Sequence, residues 1–218
     1  MKKYIKVYDN VLSEHQCNAL MQKFETNTDQ HVSTDLENHR HFTEININQH
    51  PDWSNMVTGL YNTLKPYIAK YKEDCKITKT QWPEKYGFEE PKMKRFTVDL
   101  TGTVLTGHGL DPHADAHNFT AAKRFLGILV YLSEEFEEGE TFFPLWNVKV
   151  KPKIGRALIF PPTWDFMHGG MPPRPPHEIE AKYFIQFHTV YVDELTKVTY
   201  GLDKTDRQDL GNFEHLKR

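Results

Sequence analysis

Cysteine is almost missing from this chain of 218 residues: Cys17 and Cys75 are the only two, and they stand in dissimilar contexts. Such a pair excludes a disulfide scaffold and a thiolate zinc site. Long apolar runs are missing too. No window approaches the roughly 18 uncharged apolar residues of a membrane span, and Met1 to Val7 holds no stretch of signal-peptide length, so the expected protein is soluble and cytoplasmic, without a membrane partner. Neither charge is in excess: 27 Lys and Arg against 30 Asp and Glu leave a net −3, which gives no general attraction to nucleic acid or anionic lipid. Apolar residues reach only 38%, but 13% of the chain is aromatic, so large rings can fill a core that aliphatics alone would not. What is abundant is histidine, with 12 residues. It is the commonest transition-metal ligand, and with so few thiols carboxylates must help complete any site.

The length fits one domain. Tyr4 to Tyr8 reads as a short strand, and Ser13 with Gln16 as a capping box opening a helix over His15 to Glu25. Thr26 to Gln49 is polar with little periodicity, though Phe42 to Ile47 alternates as a strand would; its histidines His31, His39 and His41 are expected on the surface. From Asp52 to Tyr71 the apolar spacing of three and four predicts an amphipathic helix that Pro66 is expected to kink or split. After Gly87 the period changes to two. Met93 to Leu100, Phe125 to Leu132, Arg156 to Phe160 and Lys182 to Val192 read as strands of a sandwich or barrel. The expected organisation is a single unit with an N-terminal strand and helical support (1–92), a β core (93–192) and a charged C-terminal tail (193–218).

Asp111-Pro112-His113-Ala114-Asp115-Ala116-His117 sets metal-capable side chains at alternate positions. In a strand, residues i and i+2 share a face, so His113 and Asp115 can converge on one ion. A third ligand is available in His168, from Asp165-Phe166-Met167-His168-Gly169-Gly170. Two histidines and a carboxylate on one face of an octahedral ion leave open positions, as in non-haem iron(II) oxygenases. A site drawn wholly from 113 to 117 would span roughly 13 Å at about 3.3 Å per residue, so His117 is read as a rim residue. His108 and Asp165 are read as surface residues near the site. An isolated His-x-Asp pair is a weak signal; an ordered series of motifs on its C-terminal side makes it specific.

That series begins with Arg124-Phe125-Leu126-Gly127-Ile128-Leu129-Val130-Tyr131-Leu132-Ser133, then Glu138-Gly139-Glu140-Thr141-Phe142-Phe143-Pro144, then Val150 to Phe160 with Lys-Pro-Lys-Ile-Gly-Arg, the distal His168-Gly169, and Lys182-Tyr183-Phe184. In this order, over about Met93 to Val192, the sequence resembles the prolyl 4-hydroxylase-like branch of the 2-oxoglutarate and Fe(II)-dependent dioxygenases. The resemblance implies a mainly β fold with flanking helices: a double-stranded β-helix (a cupin-like jelly roll) with N-terminal helices packed on it. It implies Fe(II) held by His113, Asp115 and His168, with 2-oxoglutarate and O2 as co-substrates and ascorbate as a reductant of stalled iron.

The family's basic residue for the distal carboxylate of 2-oxoglutarate stands about ten positions after the distal histidine. Here that offset falls on Glu178, so the resemblance points instead to Lys182, with Arg174 as substitute and Pro172 to Glu178 as a loop insertion placed to act as a lid. Tyr131 and Thr141 match family hydroxyls able to reach the co-substrate carboxylate, whereas the tyrosine that some members carry before His-x-Asp is absent from Leu100-Thr101-Gly102. Arg124 matches an arginine close to the substrate peptide. His188 stands where the family has a tryptophan, and it is expected to shape the substrate pocket. The implied activity is hydroxylation of a peptidyl residue, foremost proline in a proline-rich partner, with release of succinate and CO2. A small molecule or free amino acid is the nearest rival substrate, and a non-catalytic binding module the rival outside catalysis.

Overall fold

Ser13 opens the first helix as expected: its Oγ accepts from the Gln16 backbone N–H at 3.2 Å while Gln16 Oε1 accepts from the Ser13 N–H at 2.9 Å, satisfying two donors that a helix start leaves unpaired. In the computed structural model, which describes residues 2–36, 40–97, 109–134, 138–173 and 181–192, this helix α1 spans Glu14–Thr26. The second helix, α2, spans Ser54–Asp74 and buries Val57, Leu60, Tyr61, Leu64, Ile68 and Tyr71 along one stripe. Pro66 neither splits nor ends it. The buried stripe continues on both sides of the proline, and its packing outweighs one missing backbone hydrogen bond. Among the described residues no helix is long and apolar enough to cross a membrane.

Among the described residues twelve strands follow the chain: β1 (Lys6–Tyr8), β2 (Val32–Leu36), β3 (Arg40–Asn46), β4 (Tyr86–Phe88), β5 (Lys92–Thr97), β6 (Leu110–His113), β7 (Arg124–Tyr131), β8 (Thr141–Phe143), β9 (Val148–Val150), β10 (Ala157–Phe160), β11 (His168–Gly170) and β12 (Ala181–Tyr191). They form two sheets, one in the order β1-β10-β7-β12-β5-β3-β2 with β4 also on β12, the other β6-β11-β8-β9. From β5 to β12 the chain passes repeatedly between the two sheets, with every pairing antiparallel. This is the double-stranded β-helix. The strand readings hold to within a few residues over the described residues, with 98–100 outside them, while β2, β4, β8, β9 and β11 are additions; Val32 of β2 is 58% exposed at the sheet edge, so no apolar alternation marks that strand. His31 is not a free surface residue either, since its ring lies 4.4 Å from that of Phe24 and its Nε2 is 2.9 Å from the Phe24 carbonyl.

Strand parity separates two cores. Ile128, Val130, Ile159, Ile185 and Phe187 face the helices and pack with Leu60, Leu64 and Phe24. Leu129, Tyr131, Leu158, Phe160, Phe184 and Phe96 face the barrel interior with Phe143 and Phe166. Aromatic rings thus fill the roll, and the same inward parity on β12 carries Lys182, Gln186 and His188.

Candidate metal centre and its cavity

His113 ends β6 and His168 begins β11, and the two are register partners across the small sheet. Asp115 lies just beyond β6. One ligand atom from each of His113, Asp115 and His168 falls within 4.8 Å of the others. His113 Nε2 is 3.4 Å from Asp115 Oδ1, and His168 Nε2 is 3.5 Å from Oδ2. Both imidazoles turn Nδ1 to a backbone carbonyl, that of Asp111 at 2.7 Å and that of Phe166 at 3.3 Å. With the proton held on Nδ1, each Nε2 offers its lone pair to the space shared with the carboxylate.

The electrostatics suit a cation. Burial pushes Asp115 upward, but His113, His188 and His168 around it hold its carboxyl well below the ordinary range. Burial lowers His168 to about 4, against the pull of Asp115, so its ring is neutral at pH 7, as ligation requires. Two imidazoles and one carboxylate are the donor set of a 2-His-1-carboxylate iron site. The residues present fit Fe(II).

A cavity runs inward from His168. Its empty space, counted to the open mouth, is about 330 Å³, and Tyr131, Thr141, Lys182, Phe184 and Gln186 line it. Lys182 is 2% exposed. Its Nζ donates to the Gly139 carbonyl at 2.6 Å and sits 5.4–5.8 Å from the ring centroids of Phe184, Phe96 and Tyr131. Burial lowers this ammonium to about 7, against the attraction of Glu140. The Tyr131 hydroxyl donates to Thr141 Oγ1 at 2.7 Å, so the two expected hydroxyls form one pair on the cavity wall. Burial raises the phenol above its ordinary range.

Arg124 and His188 meet elsewhere. The Arg124 guanidinium reaches Glu89 through Nη2 at 3.0 Å and Nε at 2.8 Å, and its Nη1 donates to the Asp115 backbone carbonyl at 2.9 Å. The buried His188 ring places Nδ1 2.9 Å from Glu89 Oε2 and Nε2 3.0 Å from Asp115 Oδ2, the latter out of line for a hydrogen bond. Burial disfavours the charged His188 ring, but Asp115 and Glu89 raise it above the ordinary histidine value. Both residues therefore lie against Asp115, through an acid the sequence did not single out. Glu89 has no motif of its own: the β4–β12 pairing brings it there, with its N–H donating to the His188 carbonyl at 2.7 Å.

Other candidates fall outside the site. His117 is exposed, with Nδ1 2.9 Å from the Ala114 carbonyl. Asp165 belongs to a single 3-10 turn, Trp164–Phe166, where Thr163 Oγ1 donates to its carboxylate and Trp146 Nε1 to its backbone carbonyl. Cys17 and Cys75 are buried free thiols. His39, His108, Arg174, Glu178, the 100–102 stretch, most of the 172–178 insertion and the tail from 193 lie outside the described residues.

Residues 100–188 match the family described as the 2OG-Fe(II) oxygenase superfamily. A protein of Acanthamoeba polyphaga mimivirus, assigned by name as a prolyl 4-hydroxylase, is 43% identical over 58 residues, which are 23% of this chain and 24% of the viral protein; the match thus spans about a quarter of that relative. Among solved structures, the viral collagen prolyl hydroxylase of Paramecium bursaria Chlorella virus-1 in complex with 2OG superposes with a TM-score of 0.58 at 20% identity, covering 87% of this chain and 97% of that one. A Trichoplax adhaerens prolyl hydroxylase bound to a hypoxia inducible factor peptide fragment gives 0.63 at 16% identity over 90% and 87%. At these identities the likeness is one of fold.

Proposed function

Because residues 100–188 match the 2OG-Fe(II) oxygenase superfamily, we propose that the chain is a 2-oxoglutarate-dependent dioxygenase that hydroxylates a peptidyl residue, foremost proline. The observation that carries this reading is the convergence of His113, Asp115 and His168 at the mouth of a cavity that also holds a buried lysine. The three side chains would hold Fe(II), which supplies activation of O2 coupled to oxidation of 2-oxoglutarate to succinate and CO2. The protein's own part is placement. Among the described residues Lys182 offers the only ammonium lining this cavity as the partner of the distal carboxylate, an interaction strengthened by the dry aromatic surroundings. The Tyr131–Thr141 pair supplies a hydroxyl beside it. Rings on the walls exclude water from the reacting end.

Peptidyl proline is favoured by the mimivirus relative's assignment and by the folds of the two prolyl hydroxylases. Lys94 favours a second reading, a substrate bearing a carboxylate, such as a free amino acid. It is 9% exposed, 3.7 Å from Glu44 Oε2 and 4.4 Å from the Phe42 ring centroid, on the inward parity shared with Phe96. Aerobic incubation with proline-containing peptides and with free amino acids, each with and without 2-oxoglutarate, decides between them by mass spectrometry. The proposal expects a 2-oxoglutarate-dependent gain of one oxygen on a peptide. Succinate formation that persists in His168→Ala overturns the triad.

A further inference from the structure

Asp115 stands beyond the last residue of β6, so no strand ladder fixes the direction of its carboxylate. Two arms reach it. Arg124 Nη1 donates to its backbone carbonyl at 2.9 Å, and His188 Nε2 faces its Oδ2 at 3.0 Å. Glu89 holds both arms, with Oε2 at 2.8 Å from Arg124 Nε and 2.9 Å from His188 Nδ1. Glu89 is itself tied to β12 by its N–H on the His188 carbonyl at 2.7 Å. The other carboxylate oxygen, Oδ1, faces His113 Nε2 at 3.4 Å and the Gln186 amide at 3.5 Å.

We propose that Glu89, His188 and Arg124 form a brace that fixes Asp115 with its carboxylate turned to both histidines of the site, Oδ1 at 3.4 Å from His113 Nε2 and Oδ2 at 3.5 Å from His168 Nε2. The brace rests on the reading of His113, Asp115 and His168 as a metal site. The three are positioning residues: without them a carboxylate on an irregular loop could rotate about χ1 and χ2, and the ion would have to order it on binding. His188 in this role is a part of the metal site, where a tryptophan at the same position could offer one N–H and accept nothing. Partners that orient metal ligands change metal affinity by about 10- to 100-fold when lost.

The test is titration of the protein with Mn(II) alone, in the absence of 2-oxoglutarate, read by calorimetry and by the electron paramagnetic resonance of free Mn(II). Circular dichroism and melting of each metal-free variant accompany it. His188→Phe keeps a flat ring and removes both nitrogens, so its Mn(II) dissociation constant should rise at least about 10-fold. His188→Gln returns a polar side chain beside Oδ2 and Glu89 and should recover most of the loss. Glu89→Gln should weaken binding to an intermediate degree. A folded His188→Phe that binds Mn(II) as the parent does overturns the brace; if that variant does not fold, unchanged affinity in Glu89→Gln overturns it instead. A parent that binds no Mn(II) overturns the metal-site reading as well, whereas tight binding that survives both substitutions sinks the brace alone.

Discussion

Lys182 holds an ammonium at the wall of an aromatic cavity, with a backbone carbonyl as its hydrogen-bond acceptor. Because burial lowers it to about 7, the empty protein at pH 8 carries this lysine largely neutral, while a bound carboxylate favours the charged form. Binding of 2-oxoglutarate at pH 8 should therefore take up a proton. Calorimetry in two buffers of different ionisation heat should reveal it, and Lys182→Met should remove the difference. Loss of a charged hydrogen bond of about 1.5–3 kcal/mol should also raise KM for 2-oxoglutarate by about 10- to 100-fold. An unchanged KM moves the anchor elsewhere. At this scale the convergence of three side chains was legible, since period-two spacing aligned His113 with Asp115 and the family motifs supplied His168. Glu89 was not: its partner His188 lies 99 residues away, and nothing local marks it. Arg124 and His188 were noticed for their positions, but their contact with Asp115 emerges only from the folded sheet.

Between elements, the tightest constraint beside the site is Gly169. A Cβ there would fall 2.7 Å from the Leu110 carbonyl oxygen and 2.7 Å from the Phe142 ring, so β11 approaches β6 and β8 only because the residue after His168 has no side chain. Gly169→Ala should push β11 away, displace the neighbouring His168, and weaken Mn(II) binding together with the melting temperature. Ser13→Ala is the contrasting case. It removes the α1 cap at a cost of about 1 kcal/mol, visible in the urea midpoint, and leaves metal affinity unchanged, because α1 packs on the opposite face of the large sheet. Caps and long periodic runs made both helices and the longer strands readable. The strands β8, β9 and β11 have three residues each, too few for alternation to register, and β2 lies at an edge where burial does not dictate its residues.

For the whole molecule, two buried lysines set a pH dependence. Lys182 is lowered to about 7 and Lys94 to about 8, each chiefly by burial, from an ordinary 10.5. Between those values and 10.5 the unfolded chain binds more protons than the folded one, so stability rises with pH across that window. The melting temperature of the metal-free protein should climb from pH 7 to pH 9, and less steeply in Lys182→Met. A flat profile in the parent would show that neither lysine is so placed. The class of the fold could be read from strand density and motif order, and Lys182 from the family motif; Lys94 could not, because its parity toward the barrel interior is set by how β5 and β12 register against each other.

The register pairing of His113 with His168 also governs the order of events in folding. These residues are far apart in the chain, on strands that meet only when the small sheet closes, and Asp115 is steadied from the large sheet. No fragment contains a site worth occupying, and early contacts cannot be rewarded by the ion, since distant segments must first be brought together. Metal should therefore act after the rate-limiting step. Mn(II) should slow unfolding in denaturant jumps and leave the refolding rate unaltered, so the ion serves as a latch on a finished barrel and not as its nucleus.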